Sequence, residues 1–320
     1  MELLTQFFLP VSIWFQSSPG WLISIFKAIT FLGNTEFYLI IMPALFWSID
    51  ASLGIRTGIL LLISGGLNSN LKFAFRWPRP FWVSSEISAF AEGTSFGFPS
   101  GHSQNAASIW GLIGTSTQKK WIRWLVVLII FLIGFSRIVL GVHFTHDVLA
   151  GWLVGGMLLW LFLKVEMSVA NWFRDKSLPK QILALIAATS LFLIPALLIV
   201  PPFDPPPVPQ YWIDGAGEII EPYHYEGLLT TSGSFFGLGL GILLLIKSGG
   251  FSAEGSTLQR IIRYLVGLVG VLILYLGLGS LFPDNVDLLS YSLRFLRYSL
   301  IGLWISFGAP KLFRWLRLAN

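Results

Sequence analysis

The stretch WIRWLVVLIIFLIGFSRIVLGVHFTHDVLAGWLVGGMLLWLFLKV, residues 121–165, decides the fold. Residues 121–140 form one almost unbroken apolar run, and residues 147–165 form another. Each comes close to the roughly 20 residues with which a helix crosses a hydrocarbon core about 30 Å thick. Arg137 lies at the end of the first run, with His143 and Asp147 just beyond it. Ionisable groups at membrane depth are costly and need a partner or a function. The stretch therefore predicts two membrane spans with a polar cluster at one end.

Working outward, further apolar runs occupy residues 37–47, 53–75, 103–115, 182–200, 228–246, 264–282 and 288–307. The whole predicts an all-α polytopic membrane bundle of about nine transmembrane helices. Composition agrees: 54% of the 320 residues are hydrophobic and 12% are charged. Soluble domains carry about 25% charged residues, so this chain has too little polar surface to be one. Residues 3–15 and 21–31 are apolar but short, and Ser17-Ser18-Pro19-Gly20 separates them. They are expected to lie in the interface or to dip in as a re-entrant pair.

Charge gives the orientation. Lys119, Lys120, Arg123, Lys164, Arg174, Lys176, Lys180, Lys247, Arg260, Arg263, Lys311, Arg314 and Arg317 fall on one side of the predicted spans. An excess of Lys and Arg marks the cytoplasmic side. The segment 76–101, the turn 141–147, the acidic loop 201–226 and the turn 283–287 fall on the other. The net charge of +5 is thereby a matter of topology, and no basic tail or Arg-rich run predicts nucleic-acid binding. There are no cysteines, which excludes disulfides and thiolate metal sites.

The polar residues on the non-cytoplasmic side form a pattern in three parts. Lys72 is followed six residues later by Arg79-Pro80. Pro99-Ser100-Gly101-His102 closes the long loop. Ser136-Arg137 is followed by His143 and then Asp147. In type, order and spacing this resembles the signature of the PAP2 superfamily, the type 2 phosphatidic acid phosphatases, over roughly residues 35–173. Three matched parts make a far stronger signal than one short motif. The resemblance implies an integral membrane phosphatase with no metal ion and no other cofactor. It implies His143, His102 and Asp147 as catalytic residues, and Lys72, Arg79, Ser100, Gly101 and Arg137 as binders of the substrate phosphate. It divides the chain into N-terminal helices (1–34), a catalytic membrane core (35–177) and a C-terminal extension of four spans (178–320).

The residues suit that chemistry on their own terms. Phosphoryl transfer spreads charge over three equatorial oxygens, so catalysis is chiefly positioning and electrostatic stabilisation. Arg79 and Arg137 can grip oxygens bidentately. Lys72 adds a point charge, Ser100 a hydroxyl, and Gly101 a closely approaching amide at a helix start. Two histidines suit double displacement, one as nucleophile and one as acid/base. His143 and Asp147, spaced i,i+4, would share a face of a continuous helix, with Asp147 orienting the ring. That assigns His143 as nucleophile.

A lipid phosphate or diphosphate is the expected substrate, because the site lies at headgroup depth and an acyl or prenyl chain can stay in the bilayer. Membrane lipids are the expected surroundings, with the plasma (inner) membrane as location. Transfer of the phosphoryl group to an alcohol, hydrolysis of a sugar phosphate, and a non-enzymatic lipid carrier or channel are the alternatives. A carrier would spread its charges through the depth of several spans, whereas here they cluster at one end. Taken singly, the residues have blander readings. Lys72 or Arg79 would be a snorkelling anchor, and Trp77, Phe81 and Trp82 an interfacial aromatic belt. His146 would face lipid or an outer cavity. Arg294 and Arg297 would pair with Asp284 or Asp287, or else bind a second anionic group.

Overall fold

The computed structural model describes residues 2–217 and 219–319. Met1, Glu218 of the acidic loop and Asn320 lie outside the described residues. Helix is the only regular secondary structure among the described residues. Six segments are long and apolar enough to cross a membrane: Ala51–Val83, Lys120–Val139, Thr145–Arg174, Leu178–Ile199, Glu226–Lys247 and Thr257–Leu281. The protein is an integral membrane protein of helical architecture.

Nine spans were expected, and the other three runs are not among these six. Residues 37–47 belong to Thr35–Ala44, which runs into the π-helical turn Leu45–Ile49. Residues 103–115 are interrupted by the π-helical turn Ala106–Trp110. The last run lies in Leu288–Leu303, which continues through the π-helical turn Trp304–Gly308 into Ala309–Trp315 and carries Arg294, Arg297, Lys311 and Arg314.

The chain forms two compact units that cut across chain order. The first comprises Met1–Tyr38, Leu67–Phe162 and Ala196–His224; the second comprises Leu39–Gly66, Leu163–Pro195 and Tyr225–Asn320.

In the first unit, small residues set the approach of the elements. On the Thr145–Arg174 helix, Gly151 and Gly155 stand four apart. A Cβ on Gly151 would lie 2.6 Å from the Ser100 carbonyl, and one on Gly155 would strike the Gln104 carbonyl. Only glycine lets the backbones come this close. The N-terminal helices Glu2–Gln16 and Gly20–Phe31 pack on the Lys120–Val139 helix, with Phe15 and Phe26 both edge-on to Phe135. Gln16 also accepts a hydrogen bond from the Ser88 amide, at 3.0 Å.

The acidic loop contributes the short helix Gln210–Ala216 to this unit. Trp212 packs against Trp82 and Phe96, and Tyr223 lies edge-on to Phe96 at 5.0 Å. Arg76 donates to the Ile199 carbonyl at 2.8 Å. Phe81 and Trp82 are consequently buried, which overturns their reading as an interfacial belt. An aromatic run next to a span looks the same in sequence whether lipid or protein covers it.

The second unit has a core of Phe46, Trp47, Leu245, Val271, Tyr298, Ile301 and Phe313. Trp47 Nε1 donates to the Ile305 carbonyl at 2.9 Å. Gly233, Gly237 and Gly241 form an i,i+4 stripe on the Glu226–Lys247 helix, and the first two abut the carbonyls of Phe295 and Ser299. Small residues at this spacing are a usual means of close helix packing in membranes. Arg56 and Glu166 make a two-pronged pair at 2.7 Å for each bond. Arg294 pairs with Glu226 at 2.6 Å and Asp284 at 3.0 Å, and Arg297 lies 4.6 Å from the Tyr275 ring centroid. Pairing thus accounts for Arg294.

Candidate active site

All eight residues singled out by the sequence lie in the first unit. Lys72 sits in the last turn of the Ala51–Phe75 helix and donates to Ser95 Oγ at 2.8 Å. Arg79 immediately precedes the turn Pro80–Val83. Its guanidinium is a hub: Nε donates to the Ser95 carbonyl (2.6 Å) and Nη1 to the Val142 carbonyl (2.9 Å). Nη1 also lies 3.2 Å from His143 Nε2, and Nη2 reaches Ser95 Oγ at 3.3 Å. The single side chain thus ties the 95–96 loop to the 142–143 turn.

The Pro99–His102 segment opens a helix. Ser100 is its N-cap, accepting from the Ser103 amide (3.4 Å) and from Ser103 Oγ (3.0 Å). Both contacts use the oxygen as acceptor and leave the Ser100 O–H to donate to a ligand. The Ser100 amide donates to the Asp147 carbonyl at 3.0 Å, which fixes this turn against the next helix. Asn68, one helical turn before Lys72, donates to the Pro99 carbonyl (3.2 Å) and to Gln104 Oε1 (2.9 Å). A Cβ on Gly101 would stand 3.0 Å from Asn68 Oδ1. Asn68 therefore clamps the turn that presents Gly101.

Arg137 ends the Lys120–Val139 helix and donates to Thr30 Oγ1 at 2.8 Å. Its Nε is buried with no hydrogen-bond partner. The chain then reverses through Gly141, at φ +73°, where a side chain would be strained. His143 follows, with its amide bonded to the Arg137 carbonyl at 3.2 Å. The next helix starts only at Thr145, so His143 and Asp147 do not share a continuous helix as expected. The contact forms nonetheless: Asp147 Oδ2 lies 3.3 Å from His143 Nδ1 and accepts the Phe144 amide at 2.9 Å. A turn followed by the first helical turn brings i and i+4 together just as a helix would. His146 is packed among Phe144, Trp77, Phe98 and Phe8, with Nε2 3.2 Å from Asp147 Oδ1. That burial replaces the expected outward-facing ring.

Five further residues touch the site and escaped the sequence reading: Thr30, Asn34, Asn68, Ser95 and Gln104. Asn34 Oδ1 lies 2.8 Å from His102 Nε2. Asn68 had a usable signal, since it lies i,i+4 from Lys72. Thr30 had none, being a lone hydroxyl in an apolar helix, and Asn34 reads only as part of the Gly33-Asn34 break between apolar runs.

The electrostatics favour an anion. Lys72, Arg79 and Arg137 are three basic side chains against one buried carboxylate, Asp147. Burial, then the charges of Arg137, Lys72 and Arg79, hold His102 well below the ordinary imidazole range. Burial, then the charges of Arg79, Arg137 and Lys72, hold His143 below that range as well. Both rings are therefore neutral at pH 7. An anion in the cradle offsets the cationic repulsion and raises both values. Sulfate, whose charge is constant across the neutral range, should therefore bind with uptake of protons, and its affinity should fall as pH rises. Calorimetry in two buffers of different ionisation enthalpy reads that uptake; release of protons would contradict the assignment.

Comparison with known proteins gives the family. The family model for the PAP2 superfamily matches residues 54–169, and that for the PAP2 superfamily phosphatase transmembrane extension matches residues 229–320. Phosphatidylglycerophosphatase B of Bacillus subtilis is 32% identical over 169 residues, covering 49% of this chain and 80% of the relative. The chain belongs to the PAP2 superfamily. Another member, human glucose-6-phosphatase 3, is 29% identical over 171 residues, covering 46% of this chain and 49% of that protein. The match therefore spans about half of that relative's length. A crystal structure of a transmembrane PAP2 type phosphatidylglycerolphosphate phosphatase from Bacillus subtilis aligns with a TM-score of 0.44 and 26% identity, covering 52% of this chain and 85% of that one. The PAP2 relatives named here are phosphatases. The superfamily match starts at residue 54, so Thr30 and Asn34 lie outside it.

Proposed function

We propose that this protein hydrolyses the phosphate or diphosphate group of a membrane lipid through a phosphohistidine intermediate. The carrying observation is the cradle of Lys72, Arg79 and Arg137 around a neutral His143 backed by Asp147. With the Nδ1 proton directed at Asp147, the lone pair on Nε2 faces the Arg79 guanidinium, where a bound phosphoryl group is gripped. Nε2 attacks phosphorus, the P–O ester bond breaks, and His102 gives a proton to the leaving alkoxide. Water then attacks phosphorus, giving a proton to His102 as the P–N bond to His143 breaks, and inorganic phosphate leaves. Asp147 offsets the charge on the phosphorylated imidazole.

Two features favour a lipid substrate. Lys72, Gly101 and His102 are half-buried beside the ends of apolar helices, where the sequence pattern expects the headgroup layer. Phosphatidylglycerophosphatase B of Bacillus subtilis, a relative matched at 32% identity over 80% of its length, is named for a lipid phosphate. The loop charges support a site on the non-cytoplasmic face of the plasma membrane. Every step is carried by side chains, so turnover should persist with a chelator present. Purified protein in detergent should release phosphate from lipid monophosphates or diphosphates faster than from glucose 6-phosphate. A preference for the sugar phosphate would overturn the lipid reading, and dependence on added Mg²⁺ would overturn the metal-free one.

A further inference from the structure

The two site histidines are backed by different groups. His143 has a carboxylate behind it, Asp147, at 3.3 Å from Nδ1. His102 has a neutral carboxamide, Asn34, at 2.8 Å from Nε2. Asn34 lies between the helices Gly20–Phe31 and Thr35–Ala44, 68 residues from its partner and outside the superfamily match. The ring edge carrying Nε2 and Cδ2 is packed on residues 33 and 34: a Cβ on Gly33 would lie 2.8 Å from His102 Cδ2. The opposite edge, with Nδ1, is turned away from this segment. The charged and titratable groups that act on the ring are Arg137, Lys72 and Arg79, with His143 coupled to it as well.

We propose that Asn34 is the positioning residue of His102: its carboxamide holds Nε2–H, fixes the ring, and leaves Nδ1 to exchange the catalytic proton. The inference rests on the phosphatase reading above. The substrate's negative charge raises the ring's basicity, so that His102 enters the first step protonated at both nitrogens; Nδ1–H passes to the leaving oxygen as the P–O bond breaks, and the ring becomes neutral with its proton on Nε2 against Asn34 Oδ1. In the second step the Nδ1 lone pair takes a proton from the attacking water. The choice of backing group matters here. A carboxylate suits His143, which must carry a cationic phosphoimidazole. A neutral amide suits His102, which must gain and lose a proton in every turnover and would release it poorly if a carboxylate raised its basicity.

Asn34→Leu and Asn34→Asp test this. With Asn34→Leu, kcat for an alkyl phosphate should fall about 10²-fold, the lower end of general acid–base effects. p-Nitrophenyl phosphate, whose leaving group needs no proton, should form the phosphoenzyme at a rate within a few-fold of wild type. KM should change little for either substrate, because the phosphate-gripping side chains are untouched. With Asn34→Asp, the basic limb of the pH–rate profile should move up by about one unit or more, as an adjacent carboxylate requires. Equal losses on both substrates, or an unmoved profile in Asn34→Asp, would overturn the role of Asn34. Sulfate binding by each variant identifies a folded site, so the comparison is made on intact protein. Failure of the wild-type protein to hydrolyse any phosphate would instead overturn the phosphatase reading.

Discussion

His143→Ala should lower turnover by at least about 10⁴-fold, the scale on which loss of a member of a catalytic triad acts. His143 is 2% exposed and stands between Arg79 and Asp147, so nothing else in the turn offers a lone pair at that place. His146 is three residues on, but its Nε2 is directed at Asp147 and its ring is stacked on Phe144. It cannot substitute without dismantling that packing. The variant should also form no acid-labile phosphoenzyme when quenched during turnover with a labelled lipid phosphate. Sulfate should still bind, because Lys72, Arg79 and Arg137 remain. Loss of turnover with a persisting acid-labile phosphoenzyme would move the nucleophile to another residue. Retained turnover would dispose of the phosphohistidine route altogether.

Asp147→Asn separates orientation from charge at the same position. The amide keeps the shape of a fully buried side chain but removes the charge that the phosphorylated ring needs. It should behave as a weaker version of His143→Ala, with phosphoenzyme formation slowed and sulfate binding retained.

What the sequence disclosed follows from the range of the interactions. Lys72 with Arg79, Ser100 with His102, and Arg137 with His143 and Asp147 each sit within a few residues of one another, and local spacing records them. The His143–Asp147 contact was legible for a partly mistaken reason, since a turn delivers it and not a continuous helix. Nine spans were expected and six segments are long and apolar enough to cross, the difference falling on residues 37–47, 103–115 and 288–307. The Thr30–Arg137 bond joins residues 107 apart, and no periodicity in an apolar helix marks Thr30 as special. Ser95 sits in a loop of Gly, Ser and Thr where any hydroxyl looks alike. Its role emerges only because Lys72 and Arg79 converge on it. Phe81 and Trp82 misled because burial under Trp212 is a tertiary fact.

Arg79→Lys, which preserves the charge, should be nearly as damaging as losing it. Five contacts radiate from the Arg79 guanidinium to Ser95, Phe96, Val142 and His143, in three directions set by its planar fork. A lysine ammonium is one point with three donors and cannot reach both the 95–96 loop and the 142–143 turn. At 4% exposure, water does not replace the missing donors. Each acceptor left buried and unpaired costs about 1–3 kcal/mol, so thermal stability in detergent should fall measurably. The catalytic loss should be roughly 10²–10³-fold in kcat/KM, the usual effect of removing a preorganised donor to a developing charge. Lys72→Arg is the informative contrast. Lys72 makes its hydrogen bond to Ser95 Oγ from the half-buried end of a helix, and a guanidinium can supply that bond. If charge alone governs the site, Arg79→Lys and Lys72→Arg should be equally mild. If the fork geometry of Arg79 governs it, the first should be crippled and the second should keep most of its activity. Measuring kcat/KM and the sulfate-induced thermal shift for both variants decides between them, because the shift reports a folded site independently of turnover.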